Sequence, residues 1–413
     1  MKTTESVTAA PKSGADWKYI LKSFGPGIIL AATAIGPGSI LSGSTTGSRF
    51  GYSLVWWMVV VLFFRGMYQY SSMRYGVATG KSIVQGIRDR FGKGWAVAAG
   101  IFSLLSFVIY SVGNFTGIGL GLNILFPAIS LKVSAVIGML VAIGVLLLKG
   151  LYSKFETIMK VLVGMMIATF LVSLIMAGIS EPGEIVRGLV PLVPTGSFAV
   201  MLSLLGTSAS LAACAYASSL TKEKGWTTKD INNGMIKWDT IIGMISIGAI
   251  TLLVMFVSAE VLRGSPIKSG PEFANALAGI LGFIARPLVG IGLFAAAFSS
   301  LIGAPKIGIN MLLQSLGKEG GMDSKLENYG CIAVILICSA IGLLLGGAPV
   351  ELIILAQIGS IISTPLLGVM ILLLINHEEM GEFRASKPFT GVLALTFAAI
   401  MYTVVNNVIT LLS

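Results

Sequence analysis

Residues that carry charge or bind metals are scarce in this sequence. Asp, Glu, Lys and Arg make up 11% of the 413 residues, and there are one histidine, His377, and three cysteines. A lone histidine cannot form a metal site by itself, and an odd number of cysteines without metal-binding spacing indicates neither a metal centre nor a disulfide framework. The sequence also lacks a nucleophile–base set and a phosphate-binding loop, so it indicates neither an enzyme nor a resident cofactor.

Apolar sequence, by contrast, is abundant. Hydrophobic residues make up 55% of the chain, and the mean hydropathy is +0.91. Eleven apolar runs are about as long as the roughly 20 residues that a helix needs to cross a bilayer, and they lack the alternation of outer-membrane strands. They cover residues 26–48, 52–74, 95–118, 131–149, 155–178, 195–220, 238–262, 286–314, 329–346, 350–376 and 389–412. The sequence therefore predicts an all-α polytopic membrane protein with 11 transmembrane helices.

The basic residues indicate how the chain lies in the membrane. The formal net charge is +10, and a cytoplasmic N-terminus puts most of the 28 lysines and arginines in or beside cytoplasmic segments. This positive-inside pattern predicts a plasma-membrane protein with its N-terminus in the cytoplasm and its C-terminus outside, rather than a nucleic-acid-binding protein. Residues 1–24 are polar and basic without a separate cleavable apolar region, so we expect the first span itself to insert. The expected partner is the lipid bilayer, and no oligomeric state is indicated.

The first span contains a helix break. Gly36-Pro37-Gly38-Ser39 lies within the apolar run, and a proline flanked by glycines cannot continue a helix because it lacks an N–H and clashes with the preceding turn. In a bilayer a helix is interrupted at mid-depth only where the freed backbone groups are satisfied, usually around a cavity or a bound solute. Such interrupted spans point to the substrate site of a secondary transporter.

The sixth span carries a weaker signal of the same kind. The run 206–210, Gly-Thr-Ser-Ala-Ser, consists of small and hydroxyl residues that hold a helix poorly, although close helix packing is an alternative explanation. Breaks in spans one and six are what an inverted repeat of five plus five helices predicts. Since no linker interrupts the chain, we predict a cytoplasmic segment over 1–25, a transporter core of helices 1–10 over 26–388, and an eleventh helix over 389–413.

Several motifs occur in the order found in one known family. Span two ends with the sequence QYSSMRYGVATGK at 69–81, which resembles the Gln-Tyr-x-Ser-x-Arg-x-Gly-x-x-Thr-Gly segment of the Nramp (natural resistance-associated macrophage protein) family of divalent-metal transporters. Similar matches are Gly25-Pro26-Gly27, the segments 47–52 and 188–191, Phe155-Glu156, Asp239, Gln357, Pro365 and Met380-Gly381. The resemblance covers nearly the whole chain and implies a LeuT-type inverted-repeat fold that works by alternating access.

The sequence departs from this family at the metal-binding positions. Typical members read Asp-Pro-Gly-Asn in span one, where this chain reads Gly36-Pro37-Gly38-Ser39. Typical members read Met-Pro-His in span six, with a second His five residues later. The aligned positions here are Ser210, Leu211, Ala212 and Ala217. The carboxylate, carboxamide, thioether and imidazole ligands are absent from these positions, so we predict no metal-ligating residues.

Backbone groups and small hydroxyls remain at the two breaks. The half-helix that starts near Gly38 presents free N–H groups that suit a carboxylate, and the first half of span six ends with carbonyls that suit an ammonium. We therefore predict secondary transport of a small polar organic solute, an amino-acid-like zwitterion or an anion, with a proton as the candidate coupling ion. The alternative is a divalent-cation transporter of relaxed selectivity, because hydrated Mg²⁺ or Mn²⁺ keeps several waters. The predicted substrate-binding residues are Gly36, Gly38, Ser39, Thr207, Ser208, Ser210 and, through the family resemblance, Gln357.

Two cations lie within predicted spans. Lys306 follows the pair Ser299-Ser300 in span eight by about two helical turns. In the LeuT-type architecture implied by the resemblance, span eight faces span one, where a coupling sodium often binds. We predict that Lys306 replaces the charge of that sodium, with Ser299 and Ser300 beside it. The alternative is that its ammonium snorkels to the membrane surface. Arg65 in span two is likewise either a pocket charge involved in coupling or a snorkelling residue.

Overall fold

Helices dominate the architecture. The computed structural model describes residues 24–148, 151–264, 284–345, 359 and 361–412, apart from the side chains of 151, 285 and 406–412. No β-strand occurs within these ranges, so the predicted all-α class is confirmed. The helices are α1 Pro26–Ala34, α2 Pro37–Phe50, α3 Val55–Thr79, α4 Ile83–Phe91, α5 Lys93–Leu125, α6 Leu131–Leu146, α7 Leu151–Ala177, α8 Pro182–Arg187, α9 Phe198–Ser208, α10 Leu211–Glu223, α11 Thr228–Asn232, α12 Met235–Val261, α13 Ala285–Ser315, α14 Lys325–Leu344, α15 Thr364–Ile375 and α16 Lys387–Leu412, with a 3₁₀ segment at Glu378–Phe383.

The predicted spans coincide with these helices. Among the described residues, seven helices are long and apolar enough to cross a membrane, and the bent pair α1–α2 makes an eighth span. Two further apolar helices, α6 and α15, have 16 and 12 residues, and α3 has 25 residues but contains Arg65. The tenth predicted span, 350–376, is described only in part. Gln357 and residues 1–23 of the predicted N-terminal segment lie outside the described residues.

The predicted break in the first span is confirmed. One half-helix ends at Ala34, the next begins at Pro37, and the two are bent by 64°. Pro37 is the first residue of α2, where its missing N–H costs nothing because that position has no intrahelical acceptor. Gly36 precedes it in an extended conformation, with φ −97° and ψ −178°.

The predicted break in the sixth span is also confirmed. The first half, α9, ends at Ser208, and α10 begins at Leu211. Between them Ala209 and Ser210 leave the helical region, with φ/ψ of −131°/35° and −56°/118°. The alternative of an uninterrupted packing helix is therefore wrong. The two halves nevertheless continue as one crossing of 26 residues.

The broken helices lie in the centre of the bundle. In the apolar window of the α9–α10 span 89% of the residues are buried, against 11% in α16. The half-helix α1 contacts α7, α12 and α13, and α2 contacts α9 and α12. Around them α13 packs along α5, and α10 packs along α3. The polar groups of both breaks are thereby shielded from lipid by other helices.

The backbones of α2 and α12 touch at Gly47. A Cβ placed on Gly47 would lie 2.0 Å from the carbonyl O of Met255, and one placed on Gly43 would lie 3.3 Å from the carbonyl O of Thr251. The first distance is too short for any side chain, so glycine is required at Gly47. The two helices are therefore in direct main-chain contact.

Asp239 holds the start of α1 against α12. Its fully buried carboxylate accepts hydrogen bonds from the N–H groups of Gly25 at 2.8 Å and Gly27 at 2.6 Å. N–H groups at the beginning of a helix have no acceptor within the helix, so this carboxylate satisfies two of them. Beside it, Glu156 of α7 pairs with Lys224 at 2.8 Å, directly after α10. We call this end of the bundle the Pro26 end.

Lys81 links the turn after α3 to two neighbouring segments. Its ammonium lies 2.8 Å from a carboxylate oxygen of Asp89 in α4 and 2.8 Å from one of Glu379 in the 3₁₀ segment. These hydrogen bonds raise the pKa of Lys81, so it stays charged at neutral pH. Exposed pairs of this kind contribute about 0–1 kcal/mol each.

Candidate functional site

The two helix breaks touch each other. The hydroxyl groups of Ser39 in α2 and Thr207 in α9 are hydrogen bonded to one another. They also lie 3.0 Å and 2.8 Å from the carbonyl O of Ala34, the last residue of α1. Gly38, the second residue of α2, is buried next to them. The structure thus brings together three residues that the sequence placed in the substrate site: Gly38, Ser39 and Thr207.

The carbonyls at the end of α1 are occupied by hydroxyl groups of the protein. The last carbonyls of a helix have no intrahelical donor, so they are available to a cation or to side chains. Here Ser299 Oγ donates to Ala32 O at 2.8 Å, Ser300 Oγ to Thr33 O at 2.9 Å and Tyr110 Oη to Ala34 O at 2.9 Å. A cation that needs bare carbonyl ligands would have to displace these donors.

Arg65 is a buried charge beside the break in the sixth span. Its side chain is 0% exposed, so it does not snorkel to a surface. The guanidinium donates from Nη1 to the carbonyl O of Ser208 at 2.8 Å and from Nη2 to the carbonyl O of Leu30 at 3.3 Å. Ser208 is the last residue of α9, and Leu30 lies one turn before the end of α1. One side chain therefore bridges the two half-helices.

The start of α10 adds polar groups that have no partner among the described residues. Ser210 precedes the first residue of α10, is 5% exposed, and its Oγ makes no hydrogen bond there. The Oγ of Ser208 is also without a partner in the described part of the chain. A cavity of about 10 Å³ lies between the breaks and is lined by Thr33, Ala34, Phe107, Tyr110, Gly206, Thr207, Ser210 and Ala213. That volume has room for about one water molecule, so a larger cargo requires the breaks to separate.

Two site residues on α5 were missed by sequence reasoning. A Cβ placed on Gly36 would lie 2.6 Å from Tyr110 Oη and 2.8 Å from Asn114 Oδ1. Asn114 is 0% exposed, and neither its Oδ1 nor its Nδ2 has a partner among the described residues. The only sequence signal was the spacing of two polar residues four apart in a long apolar helix, which puts them on one face.

We expect replacement of Gly36 by alanine to destabilise the protein by about 1–3 kcal/mol, because the new methyl group overpacks against Tyr110 and Asn114. Thermal unfolding of the purified protein measures this change. Gly164→Ala is the matched control, since a Cβ there meets no atom within 4 Å. The double variant Gly36→Ala/Asn114→Ala should recover only part of the loss, because Tyr110 Oη, the nearer atom, remains. Equal unfolding temperatures for Gly36→Ala and Gly164→Ala would contradict the proposed contact.

Lys306 lies away from the breaks. Its ammonium donates to the carbonyl O of Met322 at 3.0 Å and to Oδ1 of Asn328, and it lies 3.3 Å from Oε1 of Glu327. The side chains of Lys306 and Glu327 are 1% and 0% exposed. The ammonium therefore does not snorkel to a surface, and its partners lie in α14 and the segment before it rather than at Ser299 and Ser300. The reason is that a carboxylate at the start of α14 provides its counter-charge.

Glu327 is held by further donors. Its Oε2 accepts hydrogen bonds from Asn310 Nδ2 at 2.8 Å and from the N–H of Gly321 at 2.9 Å. The neighbouring Met322 donates its N–H to Glu223 at the end of α10 at 3.0 Å. Lys306 and Glu327 thus belong to a buried network that joins α10, α13 and α14. Neither here nor in the rest of the described residues is there a group of three or more His, Cys, Asp or Glu that could hold a metal ion.

Comparison with known protein sequences identifies relatives along most of the chain. A family model described as "Natural resistance-associated macrophage protein-like" matches residues 27–410. A "Divalent metal cation transporter MntH" from Yersinia pestis (strain Pestoides F) is 26% identical over 381 residues, which cover 90% of this chain and 90% of the relative. One from Pectobacterium carotovorum subsp. carotovorum (strain PC1) is 26% identical over 351 residues, covering 83% and 82%.

Comparison with solved structures identifies the fold. The manganese transporter of Eremococcus coleocola, in complex with an aromatic bis-isothiourea compound, superposes with a TM-score of 0.81 at 18% identity, covering 96% of this chain and 88% of that one. MhsT in complex with L-phenylalanine gives a TM-score of 0.59 at 16% identity, covering 92% and 98%. These likenesses concern the fold alone, and they confirm the predicted LeuT-type architecture.

Proposed function

Since this chain belongs to the Nramp family of multi-pass membrane transporters, we propose that it is a secondary transporter that moves its cargo by alternating access. The proposed site lies where the breaks of α1–α2 and α9–α10 meet. The observation that carries this proposal is the contact of Ser39 with Thr207 across the two breaks, in the centre of an apolar bundle. Broken half-helices at such a position are where secondary transporters bind their cargo.

The first candidate cargo is a divalent cation. The relatives are named as divalent metal cation transporters, and they favour this alternative over the organic solute that we predicted first. The described residues around the breaks offer neutral hydroxyl, amide and carbonyl oxygens rather than carboxylates or imidazoles. Such oxygens suit an ion that keeps part of its water shell, as Mg²⁺ does, and relaxed selectivity follows from the absence of soft ligands.

The second candidate is a small organic anion or zwitterion. It is favoured by Arg65, a fully buried positive charge next to the site that repels a divalent cation and attracts a carboxylate. The N–H groups at the start of α10 and the unpartnered hydroxyl of Ser210 add donors of the kind a carboxylate requires. A proton remains the proposed coupling ion for either cargo.

We also propose an orientation. The excess of Lys and Arg in loops on one side supports an orientation in which the Pro26 end lies in the cytoplasm and the membrane is the plasma membrane. In that orientation the bonds from Asp239 to Gly25 and Gly27 lie on the cytoplasmic side of the cargo site. We propose that opening toward the cytoplasm moves the start of α1 away from Asp239.

Uptake by proteoliposomes tests the choice of cargo. For a divalent cation, we expect saturable Mg²⁺ or Mn²⁺ uptake that Thr207→Val reduces about 10-fold, because the variant removes a hydroxyl that links both breaks. Ser134→Ala is the control, since Ser134 is a buried serine of α6 away from the site. A different result would favour the second candidate: the protein takes up neither ion but does take up a small carboxylate, and Thr207→Val reduces that uptake. Equal uptake by Thr207→Val and Ser134→Ala for every cargo would contradict the site itself.

A further inference from the structure

Arg65 is a full charge in a place where charge is costly. It is 0% exposed, and no ion pair joins it to a carboxylate within the described ranges. Transfer of an unpaired ion to a low-dielectric interior costs several kcal/mol unless dipoles around it compensate. Among the described residues, the groups that compensate its charge are the two carbonyl oxygens that accept its hydrogen bonds.

The dipoles that compensate Arg65 come from the two broken helices. Ser208 O is the terminal carbonyl of α9 and lies 2.8 Å from Nη1, while Leu30 O lies one turn before the end of α1 and 3.3 Å from Nη2. The C-terminal end of a helix carries partial negative charge, and carbonyls at the ends of half-helices coordinate the coupling cation in secondary transporters. The guanidinium thus lies where such a cation would be held.

We propose that Arg65 is a built-in cation that takes the place of a bound coupling Na⁺ and joins the half-helices α1 and α9 to α3. The remaining carbonyls at the end of α1 are occupied by Ser299, Ser300 and Tyr110, which leaves no bare carbonyl cluster there for a second monovalent ion. The role that the sequence suggested for Lys306 therefore falls to Arg65. The inference concerns the coupling position and is the same for either proposed cargo.

Chemical rescue of Arg65→Ala tests this assignment without any cargo. Removing the side chain leaves a cavity lined by the carbonyls of Ser208 and Leu30, which guanidinium or Na⁺ can enter. We expect Arg65→Ala to unfold at a lower temperature than the wild type in choline chloride, and about 20 mM guanidinium or Na⁺ to raise that temperature by about 2–4 °C. In the wild type the side chain of Arg65 already fills this position, so neither ion should change the unfolding temperature.

Three further variants separate charge from packing. Arg65→Met fills much of the space but provides no hydrogen-bond donor. It should therefore unfold at a lower temperature than the wild type, and neither ion should raise that temperature. Arg65→Lys keeps the charge and should be insensitive to Na⁺, with an intermediate unfolding temperature. Arg74→Ala is the matched control on the same helix, since Arg74 is partly exposed and, among the described residues, donates a hydrogen bond to the carbonyl O of Arg384 alone, at 3.3 Å. Guanidinium should not rescue it.

Several results would overturn the proposal. Failure of guanidinium and Na⁺ to stabilise Arg65→Ala, or equal stabilisation of Arg74→Ala, would show that Arg65 has a packing role only. Stabilisation of the wild type by Na⁺ would show that a cation site exists elsewhere. If Arg65→Ala yields no folded protein, Arg65→Gln takes its place, and a lack of Na⁺ response in that variant counts against the proposal. Because no uptake is measured, failure of the proposed cargo leaves this result unaffected.

Discussion

Replacing Lys306 by methionine is expected to destabilise the protein by about 3–5 kcal/mol, because it removes one partner of a buried ion pair. Glu327 would retain its carboxylate at 0% exposure, with only Asn310 and the N–H of Gly321 as donors. Methionine keeps most of the volume of the lysine stem, so the loss measures charge rather than packing. Thermal unfolding of the purified protein, at a fixed detergent and lipid content, provides the measurement.

A double variant and a control variant at a second ion pair complete the experiment. Lys306→Met/Glu327→Gln removes both charges and should recover most of the loss, since no unpaired buried ion is left. Lys160→Met is the control, because Lys160 is 31% exposed and its partner Glu156 keeps a second cation, Lys224, at 2.8 Å, so no carboxylate is left unpaired. If the single Lys306 variant is as stable as Lys160→Met, the ion pair with Glu327 does not compensate a buried charge.

Replacing Asp239 by alanine is expected to release the start of α1. Two N–H groups, those of Gly25 and Gly27, lose a carboxylate acceptor, and each unpaired buried donor costs about 1–3 kcal/mol. We therefore expect amide hydrogen exchange in residues 26–34 to become about 10- to 100-fold faster. Hydrogen-exchange mass spectrometry, with peptides from α14 as an internal reference, measures the effect.

Two further variants test whether the faster exchange is due to the loss of the Asp239 carboxylate. Asp239→Asn keeps one oxygen acceptor and should give an intermediate exchange rate. Thr240→Val is the control, because Thr240 is the next residue of α12 and its hydroxyl donates to the carbonyl O of Ile236 in its own helix. Exchange in residues 26–34 that is equally fast in Asp239→Ala and Thr240→Val would refute the role of Asp239 as the anchor of α1.

The breaks could be predicted from the sequence because they depend on local chemistry. Pro37 between two glycines forbids a continuous helix whatever surrounds it, and the structure bends there by 64°. The break at 209–210 rests on small and hydroxyl residues, which weaken a helix without forbidding it. The location of that break was predictable, whereas the near alignment of its two halves depends on packing against other helices.

The partners of the buried polar groups could not be predicted in the same way. Glu327 lies just outside the predicted ninth span, 329–346, and its approach to Lys306 depends on the path of the chain between α13 and α14. Tyr110 and Asn114 belong to a 33-residue helix, and the sequence does not specify which neighbour their shared face meets. Only the helix packing reveals that this neighbour is Gly36.

The main-chain contact at Gly47 determines how the first span can move. Helices that touch backbone to backbone cannot slide past each other by changing side-chain rotamers. We therefore expect α2 and α12 to move together as one rigid unit. A change in the angle between α1 and α2 must then be taken up by Ile35 and Gly36, the two residues that connect them. These two residues are therefore the expected hinge of the span. Movement at the opposite end of α1 must break the hydrogen bonds of Gly25 and Gly27 to Asp239 and also a main-chain contact, because a Cβ placed on Gly27 would lie 2.2 Å from the carbonyl O of Asp239.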